Sequence, residues 1–288
     1  MARKLPFTYF GSQYRSFPFI RDRLPKRDYY IEPFGGSAVV LTNLEETKFE
    51  VYNDANEMLV DFFYALRNDT DELLAKLRLT PFHRREFEEA VALKDAGLNE
   101  FGIVERARIF FVLAQQGRYS RSIENKTPGE WKRAISQIRG GNASKPNEYR
   151  NKIEQLAEIA ERFGNVQIEC RDALKVIEEY DHEDAVFYVD PPYVPEVREN
   201  SKGAYGKFDW NVSQHEELAN VLQSCDGYVA LSGYTSDIYR ELYPDWQLHL
   251  DEAKTNQNGS TGDASDNSET QEALWTNYDA NELGRGME

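Results

Sequence analysis

The sequence predicts an α/β fold: a mostly parallel sheet that carries ligands at the carboxyl ends of its strands, interrupted by a helical insert. Three observations carry this expectation. Short apolar runs with strand character alternate with helix-period segments in residues 1–68 and again in 164–288. Between them, 69–163 shows helical periodicity and loops without a strong strand pattern. The 288 residues, 40% hydrophobic and 29% charged, suffice for one large domain with such an insert.

The elements follow in order. Tyr29–Glu32 is a short strand running into Pro33-Phe34-Gly35-Gly36, and 37–43 is a compact helical segment. Thr47–Tyr52 (TKFEVY) is the second strand. Asp54 then occupies the expected N-cap of a helix whose apolar stripe is Met58, Leu59, Phe62, Phe63 and Leu66. Inside the insert, 101–115 and 147–163 are the clearest helices. Alternation then resumes with strand 166–169, helix 172–180, the buried strand Ala185–Val189 (AVFYV), helix 213–223, strand 228–232, helix 236–242, strand 246–250 and a last strand Glu272–Thr276. The polar stretch TNQNGSTGDASDNSET between the last two strands has the composition of a mobile loop.

Net charge is −16, which at first argues against a nucleic-acid partner. Its distribution argues the other way. Residues 1–30 carry a net +5 and residues 101–152 a net +7, leaving −28 for the remainder. Two basic segments on an acidic body suit a surface that tracks phosphates. No apolar run is long enough for a membrane span, and the basic N-terminus lacks the apolar core of a secretory signal, so no membrane partner and a cytoplasmic location are expected. Two cysteines and four histidines show no metal-ligand spacing, and neither a metal site nor a structural disulfide is expected.

Asp190-Pro191-Pro192-Tyr193 follows the AVFYV strand. Two prolines can continue neither a strand nor a helix, so they lock a rigid turn that fixes a carboxylate relative to an aromatic ring. Such a pair suits an amine conjugated to a planar ring, whose lone pair is delocalised. Hydrogen bonds from its N–H groups to the Asp190 carboxylate and the Pro191 carbonyl would favour the tetrahedral amine, while Tyr193 stacks on the ring. Upstream, Glu32-Pro33-Phe34-Gly35-Gly36-Ser37-Ala38 is a glycine-rich strand-to-helix turn that lets backbone approach a ligand closely. Asp54 lies 18 residues past Gly36, the spacing at which an acid bonds ribose hydroxyls in Rossmann-like sites. Asp172 is either a ligand contact near an adenine or a helix cap.

In this order and spacing the chain resembles the Dam-type, D12-class DNA adenine N6-methyltransferases. Tyr9-Phe10-Gly11-Ser12-Gln13 stands for their aromatic-x-G-x-K element, followed by the Glu32–Ala38 loop, Tyr52-Asn53-Asp54, the insert and Asp190–Tyr193. Leu231-Ser232-Gly233-Tyr234 and Glu272–Asn277 also resemble family segments. The resemblance implies a Rossmann-like S-adenosylmethionine-dependent methyltransferase sheet with an inserted helical target-recognition subdomain. It further implies S-adenosyl-L-methionine as cofactor, with Tyr9, Gln13, Phe34, Gly36, Asp54, Asp172 and Asp190 lining its site. Asp190, Pro191, Pro192 and Tyr193 are the catalytic residues it implies. Double-stranded DNA would be read through the insert, with Arg118, Tyr119, Arg121 and Lys126 as candidate contacts. A monomer is expected, with a cognate restriction endonuclease as a conceivable partner. Two departures stand out: Gln13 where the family carries lysine, and Ala38 where it carries glycine, each expected to bear on cofactor binding. Three other readings stay open on the residues alone. They are methylation of cytosine N4, RNA adenine or a protein amide; a non-catalytic DNA- or cofactor-binding partner of the same fold; and a nicotinamide-dependent dehydrogenase.

Overall fold

The computed structural model describes residues 3–117, 130–132, 145–194, 208–251 and 272–283. Seven strands form one sheet: β1 (Tyr29–Glu32), β2 (Phe49–Asn53), β3 (Val166–Glu169), β4 (Ala185–Val189), β5 (Tyr228–Tyr234), β6 (Gln247–Leu250) and β7 (Glu272–Thr276). Their spatial order is β3-β2-β1-β4-β5-β7-β6. The five strands from β3 to β5 pair in parallel, and β7 and β6 are added antiparallel at the far edge. The order reverses between β1 and β4, and a crevice opens at the carboxyl ends of strands at such a reversal. That crevice separates Glu32 at the tip of β1 from Asp190, the residue after β4.

The central strand β4 is buried along its whole length, as its continuous apolar sequence requires when both sheet faces are covered. On one face, Ile31, Val51, Phe187, Val189 and Leu231 pack with Val176, Ile177, Leu218 and Leu222. Those last four lie on helices Ala173–Tyr180 and Val212–Gln223. On the other face, Tyr30, Tyr52 and Tyr188 meet Phe7, Phe62, Phe63, Phe110, Phe111 and Phe163. The rings of Phe63 and Phe163 stack 4.5 Å apart, and Phe7 meets Phe110 edge-on at 4.8 Å. Helices Thr70–Leu79, Ile103–Gln116 and Lys145–Arg162, which the sequence places in the insert, contribute Leu73, Leu77, Phe110, Leu156 and Ile159 to this same cluster. Arg162 adds a buried polar tie: it forms an ion pair with Glu50 of β2 and donates to the Leu41 carbonyl at 2.8 Å.

Local differences from the sequence-based expectations have simple causes. The second strand begins at Phe49, because the Thr47 amide and hydroxyl are spent on a local turn with the Glu50 carboxylate and the Phe49 carbonyl. The helix Glu57–Asn68 is capped by Asn56, whose side chain accepts from the Met58 amide at 3.1 Å, and not by Asp54. Asp54 sits two residues too early and turns back towards the glycine loop. The helix expected over 37–43 starts at Val39, because Gly36 and Ala38 both take left-handed backbone conformations.

Candidate active site

A cavity of about 240 Å³ occupies the crevice between β1 and β4. Tyr9, Gln13, Phe34, Gly36, Asp54, Asp172 and Asp190 all line it, so residues spread over more than 180 positions converge there. Asp190, Pro192 and Tyr188 close it on the β4 side. Arg118, Tyr119, Arg121 and Lys126 lie outside the described residues.

The glycine loop is shaped by what it touches. A Cβ on Gly35 would lie 2.1 Å from the Tyr52 ring, so that ring packs against the loop only because Gly35 has no side chain. Tyr52 in turn donates its hydroxyl to the Gly36 carbonyl at 2.9 Å. Gly36 has φ +49°, and its Cα faces the Tyr9 ring. Ala38, at φ 51°, adopts a conformation that glycine takes more easily, which is the physical content of the departure at that position. Fully buried Asn53 ties the loops together. It donates to the carbonyls of Pro33 and Arg171 and accepts from the Arg171 amide.

Asp54 accepts from the Gly36 amide at 2.9 Å and the Asn56 amide at 2.8 Å. Burial pushes its carboxyl up to about 6 against the pull of those two amides. Asp172 caps the helix Ala173–Tyr180 by accepting from the Leu174 and Lys175 amides. It also lines the cavity, so serving as a cap does not take it away from the site where a ligand contact was expected.

Glu32 accepts from the Tyr30 hydroxyl at 2.7 Å and the Leu41 amide at 2.6 Å. Burial raises its carboxyl to about 8. The folded chain therefore holds a proton that the unfolded chain releases near 4.5. Stability falls as pH rises through this window, since the unfolded state binds fewer protons. Asp54 contributes in the same sense only up to about 6, and His249, lowered by burial, opposes it below 6.5. Between pH 6.5 and 8 Glu32 dominates the slope, opposed towards pH 8 by Lys152, which burial lowers to about 8 so that the folded chain gives up a proton the unfolded chain keeps. Thermal melts across that range should show a net loss of about 1 kcal/mol. Glu32→Gln, which keeps an oxygen acceptor for both donors, should flatten the curve, and an equally steep slope in the variant rejects the assignment.

At the β4 tip, Gln13 is the hub. Its Nε2 lies 3.2 Å from each Asp190 carboxylate oxygen, 3.2 Å from Glu272 Oε1 and 2.7 Å from the Tyr193 hydroxyl. Tyr193 donates to Glu272, and its ring meets Tyr234 edge-on at 4.8 Å. One amide nitrogen has two hydrogens for these four oxygens, and the Gln13 Oε1 is buried with no partner among the described residues. A lysine ammonium would bring three hydrogens and a charge to the same point. Gln13→Lys should therefore act first on Asp190, holding its carboxylate ionised to lower pH. The acid limb of the kcat/KM profile should move down by roughly one unit. An unmoved limb would remove Gln13 from the control of Asp190.

Glu272, Trp210 and Asp209 are among the lining or contacting residues that carried no role in the sequence reading. Glu272 reaches Gln13 and Tyr193 from the last strand, and in the sequence its segment stood out as a strand and by resemblance, with no site role. Trp210 packs edge-on against Phe34, with centroids 5.2 Å apart, and lines the cavity with Asp209. Only adjacency to the N-cap Asn211 could have hinted that the Asp209-Trp210 pair sits at a strand-tip loop.

The mostly parallel sheet, with an acid-lined cavity at its order reversal and Asp190 followed by two prolines on the adjoining strand, is the arrangement that the sequence reading expected of an enzyme methylating an amine conjugated to a ring. The chain belongs to the D12 class of N6 adenine-specific DNA methyltransferases, whose family model matches residues 9–257. Among curated proteins it is similar to the Type II methyltransferase M.MjaIII of Methanocaldococcus jannaschii, at 26% identity over 80% of this chain and 84% of the relative. It is also similar to the Type II methyltransferase M1.LlaDCHI of Lactococcus lactis subsp. cremoris, at 26% identity over 95% of both chains. A third relative is the DNA adenine methylase of Escherichia coli strain K12, at 23% identity over 83% of this chain and 84% of the relative. No helix among the described residues is long and apolar enough to cross a membrane.

Proposed function

We propose that the chain takes its methyl group from S-adenosyl-L-methionine and places it on N6 of an adenine flipped out of a specific sequence in double-stranded DNA. The observation that carries this is the convergence of Asp190 with an acid-lined cavity that a glycine turn opens to close backbone approach. The cofactor is a cation with a ribose diol, and the residues present suit it. Asp54 would accept from the ribose hydroxyls, the contacting pair Phe34 and Trp210 would form one apolar side of the site, and Tyr9, Gly36 and Asp172 would complete the wall. When bound, S-adenosyl-L-methionine supplies an electrophilic methyl group on sulfur.

The remaining work falls to the chain. Asp190 and the Pro191 carbonyl accept the two N6 hydrogens of the target adenine, which draws the nitrogen towards tetrahedral geometry and localises its lone pair. Rigid Pro191-Pro192 keeps these acceptors in place, so little reorganisation accompanies the reaction. Tyr193, fixed at its hydroxyl by Gln13 and Glu272, bounds the base subsite. The segment 69–163 would carry target recognition between the catalytic parts 1–68 and 164–288, with Arg118, Tyr119, Arg121 and Lys126 as base or phosphate contacts. A monomer acting in the cytoplasm, paired with a restriction endonuclease as the Type II names of two relatives suggest, fits this reading.

Incubating the protein with S-adenosyl-L-methionine and mixed-sequence duplex DNA, then mapping methylated adenines by sequencing, tests it. N6-methyladenine confined to one short sequence is expected. Methylation of single strands alone, or scattered without a common sequence, overturns the duplex-specific reading.

A further inference from the structure

A second cavity, of about 310 Å³, lies beside the segment that forms the first, with Thr8 on its wall where Tyr9 lines the active site. Lys132, Lys145 and Lys152 surround it, with Glu148 as the acid among its lining residues. The Lys152 ammonium donates to the Leu5 carbonyl at 2.8 Å, and that of Lys132 lies 3.4 Å from the Gln115 carbonyl. Neither has a carboxylate within ion-pair distance among the described residues, whereas Lys145 is paired with Glu148. Gln115, 7% exposed, accepts from Thr8 through Oε1, and its buried Nε2 has no partner among the described residues.

Three ammonium groups, a hydroxyl and an unused amide donor gathered round a concave space are the chemistry of an anion site with several oxygens to satisfy. Burial depresses both Lys132 and Lys152, the latter to about 8, and an anion in the cavity would offset the desolvation that does so. The position indicates which anion. Lys132 is anchored through its backbone amide to the Gln116 carbonyl at 2.7 Å, at the end of helix Ile103–Gln116. Helix Lys145–Arg162 supplies the other two lysines. The site thus joins the segment that lines the first cavity to the insert expected to read DNA.

We propose that this cavity is a phosphate-binding site that holds a backbone phosphodiester of the substrate DNA next to the methylated base. It draws on the family's DNA substrate and is independent of how the insert reads sequence. A contact of this kind fixes register on the duplex without reading bases.

The test uses the full chain and short duplexes with and without a methylatable site. Lys132→Gln with Lys152→Gln should weaken binding of both duplexes about equally, by roughly tenfold. The slope of log K against log salt should also shrink by about 0.9 for each phosphate no longer neutralised. Glu148→Gln should tighten binding, an effect opposite to that of damaged folding. Inorganic phosphate titrated into the free protein should perturb the lysine side-chain NMR signals, and duplex should displace it. Phosphate binding with an unchanged salt slope in the double variant would overturn DNA as the source and point to a free phosphorylated ligand. Absence of both effects would overturn the site. Binding is measured without methyl donor, so failure of methylation cannot be mistaken for either result.

Discussion

Asp190→Ala should lower methyl transfer by roughly 10³-fold while methyl-donor affinity falls only a few-fold. The reason lies in how the carboxylate is held. Strand β4 is buried throughout, Pro191 and Pro192 stop it abruptly, and Gln13 grips both carboxylate oxygens. The group is thus fixed in place, and under the proposed function its acceptors would face the amine to be methylated. The cavity has other acid walls in Glu32, Asp54 and Asp172, so cofactor binding does not depend on Asp190 alone. Single-turnover methylation of duplex DNA, with calorimetric titration of S-adenosyl-L-methionine beside it, separates the two quantities. Activity within tenfold of the parent would remove Asp190 from the chemistry. Equal loss of binding and turnover would make it a cofactor ligand only.

Gly35→Ala should reduce stability by about 3 kcal/mol and S-adenosyl-L-methionine affinity by more than tenfold. The added methyl would fall 2.1 Å from a carbon of the fully buried Tyr52 ring. That ring cannot retreat, because it is wedged against Phe63 at 4.7 Å and Phe163 at 5.9 Å. The loop must move instead, which breaks the hydrogen bond from Tyr52 to Gly36 and pulls the Gly36 amide from Asp54. Denaturant melts and cofactor titration read the two effects. The double variant Gly35→Ala with Tyr52→Leu should recover part of the affinity by making room. A single variant as stable as the parent would show that the loop and ring do not touch as described.

Much of the candidate site, as the cavity that these residues line, was legible in the chain because its determinants are local. A proline pair after an apolar run fixes a strand tip without help from distant residues, and an acid 18 residues past a glycine turn reports the span of one strand–helix–strand unit. Asp54 marks where such local reasoning stops. Its spacing placed it in the cavity, but whether it or Asn56 caps the next helix depends on the Gly36 amide, which lies near only after β1 and β2 pair.

The sequence by itself determined the strand tips, the glycine turn, the helical block and the order of the sheet-forming runs, since these follow from periodicity, backbone stereochemistry and short-range spacing. Only the tertiary structure decided what meets at the tips. Glu272 comes to Tyr193 across 79 positions because β7 inserts antiparallel beside β5. Gln13 reaches Asp190 across 177 positions, and the lysine cavity joins Thr8 to helices more than 100 residues away. Long-range pairings of this kind leave no trace in local composition, because the energy that selects them is burial shared among segments that the chain order keeps apart.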